Sequence, residues 1–318
     1  MTHRRSNSSA RAARACALWA CTALAACAPR GSEDDAVARG DLAYASGNVE
    51  AALAEYQLAV RQGDDAEAYA RVGHTYAQLG QVDEAHDYYV QAADRDPRWA
   101  DQAGSDLLHL AREAEARSDR FLMASAVETA LIFLPGLSVE GLALPLARHY
   151  FQSGEFVRAL PFYQKALNAV PDSAADVVME VGTAYEEVGD CSRALSLFER
   201  YREMVQPWER TEVDWHIGNC SLSLGRQRRA EDLPDEALLL VDRTLEVGEP
   251  KNLIPQTWFE RGEILSQLGR CDEALDAYRR VRALEPTGTG ALVRRAEERI
   301  DEVRFGRDLQ GLTGRCGA

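Results

Sequence analysis

Residues 66–97 read AEAYARVGHTYAQLGQVDEAHDYYVQAADRDP. Gly73 and Tyr76 lie three apart and share one helix face, while Ala85, Tyr89 and Ala92 form a second stripe at spacings of four and three. Gly80 separates the two stripes and supplies a permissive backbone for a turn. The stretch therefore predicts two helices folded into a hairpin. Shifting the set back by 33 residues lands on Gly40, Gly47, Ala52, Tyr56 and Ala59, so a unit of that length is iterated.

A glycine inside a helix costs about 1 kcal/mol against alanine, so Gly40, Gly73, Gly182, Gly218 and Gly262 in one register need a packing reason. Close helix approach supplies it: small residues open a crossing and Tyr76 and Tyr89 fill the neighbouring holes. A single hairpin cannot bury its apolar face and must stack on its neighbours. The aromatic, Gly-x2-Tyr, turn Gly, Ala-x3-aromatic-x2-Ala and closing Pro of residues 66–97 resemble the tetratricopeptide repeat. Tyr150, Gly154, Ala159, Tyr163, Ala166 and Pro171 make another copy, with Ala147 in place of the first glycine and Pro145 at the start of its first helix or kinking it. Gly182 to Pro207 and Trp258 to Pro286 give two more. Around 104–135 only Leu110, Ala111, Ala130 and Pro135 survive, without a turn glycine.

In the unit holding Gly218, the run Arg226 to Leu233 reads as an insertion before a helix opening at Pro234, expected to project as a loop. The resemblance implies an all-α, right-handed superhelical solenoid of antiparallel helix hairpins. Its units are placed at 33–65, 66–97, 104–135, 140–171, 175–207, 211–250 and 255–286, followed by a capping helix in 287–305 and a tail, 306–318.

The N-terminus has another character. Arg4, Arg5, Arg11 and Arg14 precede an apolar run from Ala15 to Ala26, with no acidic residue before Glu33. These are the basic and apolar regions of a secretory signal, too short for a spanning helix, so 1–26 is set apart from the fold. Leu24-Ala25-Ala26-Cys27 resembles the bacterial lipobox, which implies lipidation of Cys27 and a tether of residues 27–32; the alternative is an ordinary cleaved signal with Cys27 incidental. Ser6, Asn7 and Ser8 after the twin arginines favour unfolded export over folded export. Ala28 behind the cysteine implies, by the same resemblance, the outer membrane of a bacterial envelope.

The net charge is −15; without the four signal arginines, 32 basic face 51 acidic side chains and the remainder carries −19. That balance argues against nucleic acid and against adhesion to anionic lipid. Beyond Cys27 stand Cys191, Cys220, Cys271 and Cys316. An even count in an exported chain favours disulfides. Cys191 follows a turn glycine at the start of a second helix and Cys220 lies towards the end of the next first helix, which runs antiparallel, so Cys191–Cys220 is the expected bridge. Cys316 is left to reach Cys271, with free buried thiols as the alternative.

No His-Glu-x2-His, nucleophile elbow, phosphate loop or Cys-x2-Cys is present, so no catalytic residue, metal or cofactor is expected. Glu186 and Glu187 read as a solvated face, and His216 as a helix-surface histidine. By resemblance, the concave side of the solenoid is lined by first helices. Its facing residues would include Tyr44, Arg71, His74, Phe151, Met179, Thr183, Glu186, Trp215, Asn219, Phe259 and Glu263. Trp215 and Phe259, at equivalent places in adjacent units, form either an aromatic platform or inter-helix core. The expected function is a non-enzymatic, membrane-anchored scaffold binding protein segments in assembly of an envelope complex. Its layout is similar to lipoproteins of barrel assembly and type IV pilus biogenesis. The other hypothesis is a lipoprotein presenting peptide or glycan to a transporter or hydrolase.

Overall fold

A computed structural model describes residues 33–169, 174–284, 290–305 and Cys316. The expected signal peptide, the lipidation site Cys27, the tether, and the tail apart from Cys316 lie outside the described residues. Within them every regular element is helical. The chain divides into an N-terminal module, ending at Ser138, and a C-terminal module, from Val139.

The N-terminal module is three hairpins: α1 (Glu33–Ala45) with α2 (Val49–Gln62), α3 (Ala66–Gln78) with α4 (Val82–Arg95), and α5 (Trp99–Ala116) with α6 (Arg120–Phe133). The C-terminal module holds four more: α7 (Ala143–Gln152) with α8 (Phe156–Ala169), α9 (Ala175–Glu187) with α10 (Cys191–Met204), α11 (Thr211–Ala230) with α12 (Pro234–Val247), and α13 (Ile254–Gln267) with α14 (Cys271–Leu284). Helix α15 (Ala291–Phe305) closes it, laying Leu292, Ile300 and Val303 against a core that includes Tyr278, Val281 and Ala296. Within each module, each second helix also packs on the first helix of the hairpin after it.

One internal rule holds through all seven described hairpins. Taking Gly40, Gly73, Ala111, Ala147, Gly182, Gly225 and Gly262 as origin, the residue seven on has positive φ: Gly47, Gly80, Ser118, Gly154, Gly189, Asp232 and Gly269. The residue twelve on is alanine everywhere except Met123, and all are buried there. Sixteen on stands a buried Tyr, Phe or Val, pressed against the origin wherever that is glycine. A Cβ added at Gly182 would come within 2.6 Å of Phe198, at Gly262 within 2.5 Å of Tyr278, and at Gly225 within 2.8 Å of Val241. The unusual turn residues Ser118 and Asp232 adopt the left-handed conformation that glycine takes elsewhere, which is why the third and sixth hairpins lacked a turn signal.

This register corrects two expectations. Arg226 to Leu233 is no projecting loop: Arg226–Ala230 are the last turn of α11, and only Glu231–Leu233 connect to α12. The extra residues lie at the other end of that helix, because Gly225 and not Gly218 meets its partner Val241. The third hairpin likewise opens at Trp99, five residues before the expected 104. Both long first helices carry a glycine seven residues before the origin. Gly104 admits Leu134, whose Cδ1 would lie 2.5 Å from an added Cβ, and Gly218 admits the backbone carbonyl of Glu249, which an added Cβ would overlap.

Cys191 and Cys220 join α10 to α11 with Cα atoms 5.1 Å apart, and Cys271 and Cys316 lie with Cα atoms 5.4 Å apart, both at disulfide distance. Peptide mapping without reductant is expected to return these two pairs; a Cys191–Cys271 link would contradict the stacking. Gly218→Ala must displace backbone, so it is expected to lower unfolding stability in urea by about 3 kcal/mol. Gly73→Ala, whose added methyl would first meet the Tyr89 ring, at 3.0 Å, should lower it less.

Candidate functional site

The aromatic residue that fills each crossing also carries polar chemistry where it is tyrosine. Tyr56 Oη donates to Asp41 Oδ1 at 2.7 Å, and Arg71 Nη1 reaches the same oxygen at 2.5 Å. Tyr89 Oη donates to Asp106 Oδ2, which lies 2.7 Å from His74 Nδ1. Tyr163 Oη donates to Glu180 Oε2 at 3.0 Å, with Arg148 Nε also 3.0 Å from that atom. Tyr278 Oη donates to Glu263 Oε1 at 2.7 Å, and Arg299 Nε is 2.8 Å away.

Each carboxylate thus holds a tyrosine on one side and, on the other, an arginine or, at Asp106, a histidine, from a neighbouring first helix or the closing helix. Asp41 on α1 meets Arg71 on α3, His74 on α3 meets Asp106 on α5, and Arg148 on α7 meets Glu180 on α9. Phe198 offers no hydroxyl, and its ring stacks instead on His216, centroids 4.9 Å apart and planes at 25°. His216 Nδ1 then reaches Glu186 at 2.5 Å, and Asn219 Nδ2 donates to the same carboxylate at 2.7 Å. Arg226 Nε and Arg229 Nη2 on α11 approach Glu260 on α13 at 3.2 and 3.0 Å.

An exposed ion pair contributes only a few tenths of a kcal/mol to about 1 kcal/mol. Asp106, Glu186 and Glu263 keep only 11, 12 and 13% side-chain exposure, so removing their partners would strand nearly dry carboxylates. Burial, then the Asp41 hydrogen bond, pushes the Tyr56 phenol up to about 12. Burial and the adjoining carboxylates push Tyr89, Tyr163 and Tyr278 up still further.

Two grooves lie among these contacts. In the N-terminal module, an open groove of about 450 Å³ is lined by Asp41, Tyr44, Tyr56, Glu67, Ala70, Arg71, His74, Trp99 and Gln102. Buried Tyr56 and Ala70 form its floor, and Tyr44 and Trp99 are partly exposed. Tyr44 Oη lies 2.9 Å from His74 Nε2, so His74 links Tyr44 to Asp106. In the C-terminal module, a polar groove of about 430 Å³ is bounded by Glu186, Gly189, Cys191, Asn219, Leu222, Ser223, Arg226 and Leu253.

Tyr44, Arg71 and His74 line the first groove together; Glu186 and Asn219 meet in the second. Met179 and Thr183 sit half-buried on α9, where Thr183 Oγ1 donates to the Met179 carbonyl at 3.0 Å. Phe151 packs edge-on against Phe156 and Tyr163. Phe259 does not face a groove and takes the core alternative: it is 1% exposed, against Tyr278. Trp215 is 44% exposed, so the two form no platform. They are not equivalent, because Gly225 shifts the register of α11 by seven residues and puts buried Leu222 where α13 has Phe259. Glu263 is occupied by Tyr278 and Arg299, and Glu186 and His216, at 12 and 17% exposure, are not solvated. Trp99, Gln102, Asp41, Ser223 and Arg226 line the grooves unforeseen. The spacing from Gly225 to Ala237 and Val241 is the signal that would have found Arg226.

Among the described residues no group of three or more His, Cys, Asp or Glu could hold a metal ion, and no helix is long and apolar enough to cross a membrane. Sequence profiles of the tetratricopeptide repeat match residues 66–99 and 222–289. The chain carries tetratricopeptide repeats over these stretches, and the second begins three residues before Gly225. No curated protein matches the chain.

Solved structures that resemble it include the C-terminal part of a TPR repeat-containing protein from Cytophaga hutchinsonii, 18% identical, covering 82% of this chain and 98% of that one at a TM-score of 0.33. A MamA protein is 14% identical, covering 59% and 94% at 0.33. The TPR2AB domain of yeast Sti1 in its pHSP90 complex is 11% identical, covering 84% and 96% at 0.32. None of these likenesses bears on what this chain binds.

The four tyrosines should resist ionisation while the chain is folded. With their native pKa values raised, they contribute stability fully present below the ordinary phenol value of about 10 and lost as pH rises from there through about 12 and beyond. At about pH 11, absorbance at 295 nm is expected to step upward on adding urea as Tyr56, Tyr89, Tyr163 and Tyr278 ionise. No step beyond that of exposed tyrosines would contradict the buried hydroxyl–carboxylate contacts.

Proposed function

We propose that the chain is a non-enzymatic scaffold that binds segments of partner proteins along its first helices, with the groove at Tyr44, Arg71 and His74 as its principal contact. Tetratricopeptide repeats are a protein-interaction scaffold, and this groove gathers residues from three successive hairpins. The observation that carries the reading is its make-up: partly exposed Tyr44 and Trp99 stand over a closed hydrogen-bonded floor. Such a surface offers area and orientation to an extended segment. Its titratable groups hold one another across hairpins.

The scaffold acts at a bacterial cell envelope, exported by its N-terminal signal, held by lipid on Cys27, and in the outer membrane facing the periplasm. Support for this comes from Arg4 to Cys27 in the sequence. A diacylated, N-acylated cysteine anchors stably where a single chain would hold only marginally. There the scaffold would serve assembly of an envelope complex.

Cys27→Ser is expected to move the protein from the membrane to the soluble fraction; a wild-type chain already soluble would defeat the anchor. Partners cross-linked to the wild type in membranes are expected to fall about tenfold with Tyr44→Ala plus Trp99→Ala, a loss of roughly 1.4 kcal/mol. Undiminished capture would move the contact away from this groove.

A further inference from the structure

We infer that the Tyr44–Trp99 groove selects a cationic partner: an extended protein segment that presents arginine or lysine to it. This deepens the proposed protein-binding role and rests on it. Residues 33–138 carry 20 acidic against 8 basic side chains, a net −12 in the module that forms the groove. Such an excess steers positive segments towards the surface and repels negative ones.

The lining then offers a place for the charge. Asp41 and Glu67 stand at the groove with 44 and 50% of their side chains exposed. Both are engaged by Arg71, but on one oxygen each. Tyr56 and Arg71 bond Asp41 through Oδ1, and both contacts from Arg71 to Glu67 fall on Oε1. Asp41 Oδ2 and Glu67 Oε2 remain as acceptors for an incoming guanidinium or ammonium group, with one lone-pair set already used to hold the carboxylates in place.

The second contribution is aromatic. Trp99 lines both this groove and an adjoining depression of about 370 Å³ shared with Asp96, Arg98, Asp101, Gln102 and Ser105. An extended segment crossing Trp99 would therefore continue into a second recess where Asp101 stands beside Asp96, the latter already paired with Arg98. A long basic side chain can lay its methylenes on the indole and Tyr44 while its charge meets a ring face or carboxylate. A neutral segment keeps only the aromatic contact. An acidic segment meets like charge at Asp41, Glu67 and Asp101.

The test selects peptides from a display library of random extended decapeptides on the full chain, then measures chosen peptides by fluorescence anisotropy. Each basic peptide is compared with its citrulline counterpart, which keeps the shape and removes the charge. The expected result is enrichment of arginine and lysine, at least tenfold weaker binding of the citrulline form, and a similar loss with Glu67→Gln plus Asp41→Asn. Asp83→Asn plus Glu84→Gln removes the same charge from exposed positions on α4 and should change binding less than twofold. Circular dichroism of both variants should match the wild type.

Equal loss from the two double variants would overturn the groove as the site, since only the general field would be acting. Enrichment of neutral or acidic peptides that still depend on Trp99, tested by Trp99→Leu, would overturn the cationic selection and leave the protein-binding role standing. Failure to enrich any peptide would overturn both.

Discussion

The distance between the two helices of each hairpin is the constraint on which the rest depends. It is set where a residue with little or no side chain meets a ring or branched chain sixteen positions later, and the left-handed residue seven positions after that origin turns the chain back to make the meeting possible. Gly182 against Phe198 and Gly262 against Tyr278 leave no space for another methyl. Once the ring is fixed there, its edge is fixed too. In four hairpins that edge is a tyrosine hydroxyl that holds an acid, and the acid holds an arginine or histidine from another helix of the stack. Backbone geometry, apolar packing and polar joining are thus consecutive results of one close approach.

The same chain of causes shapes the site. Polar residues on the first helices are in large part spent on joining hairpins, as at His74 with Asp106, Arg148 with Glu180 and Glu186 with His216. What remains for a partner is narrower than the acidic composition suggests: aromatic faces at Tyr44 and Trp99, and carboxylate oxygens that the joints leave unused. Where the crossing residue is Phe198, the joint changes from a hydroxyl to ring stacking, and His216 takes its place beside Glu186.

Much of this was legible in the chain because the period leaves its mark on small and aromatic residues. Residues 66–97 contain origin, turn, alanine and ring in full, and the hairpin follows. The stretch around Gly218 misled for a physical reason. Its helix is longer by two turns, and both ends of the extension carry a glycine, one admitting Val241 and one admitting the Glu249 carbonyl. Choosing the wrong glycine made Trp215 and Phe259 look equivalent, although one is exposed and the other lies in the core. Ser118 and Asp232 hid two turns because positive φ in a residue other than glycine has no distinct spelling. Trp99 and Asp41 escaped notice since a groove is made by neighbouring hairpins, and their lateral spacing is a property of stacking.

A double-mutant cycle between Arg148 and Glu180 most directly tests whether the hairpins are joined through these carboxylates. Arg148→Gln, Glu180→Gln and the double variant would be compared by urea unfolding. The pair is 36 and 27% exposed, so solvent screens part of its attraction, while Tyr163 fixes the carboxylate in place. A coupling of about 1 kcal/mol is predicted, above the few tenths of an isolated surface pair. Coupling within about 0.3 kcal/mol of zero would contradict it, and the stack would then rest on apolar packing alone.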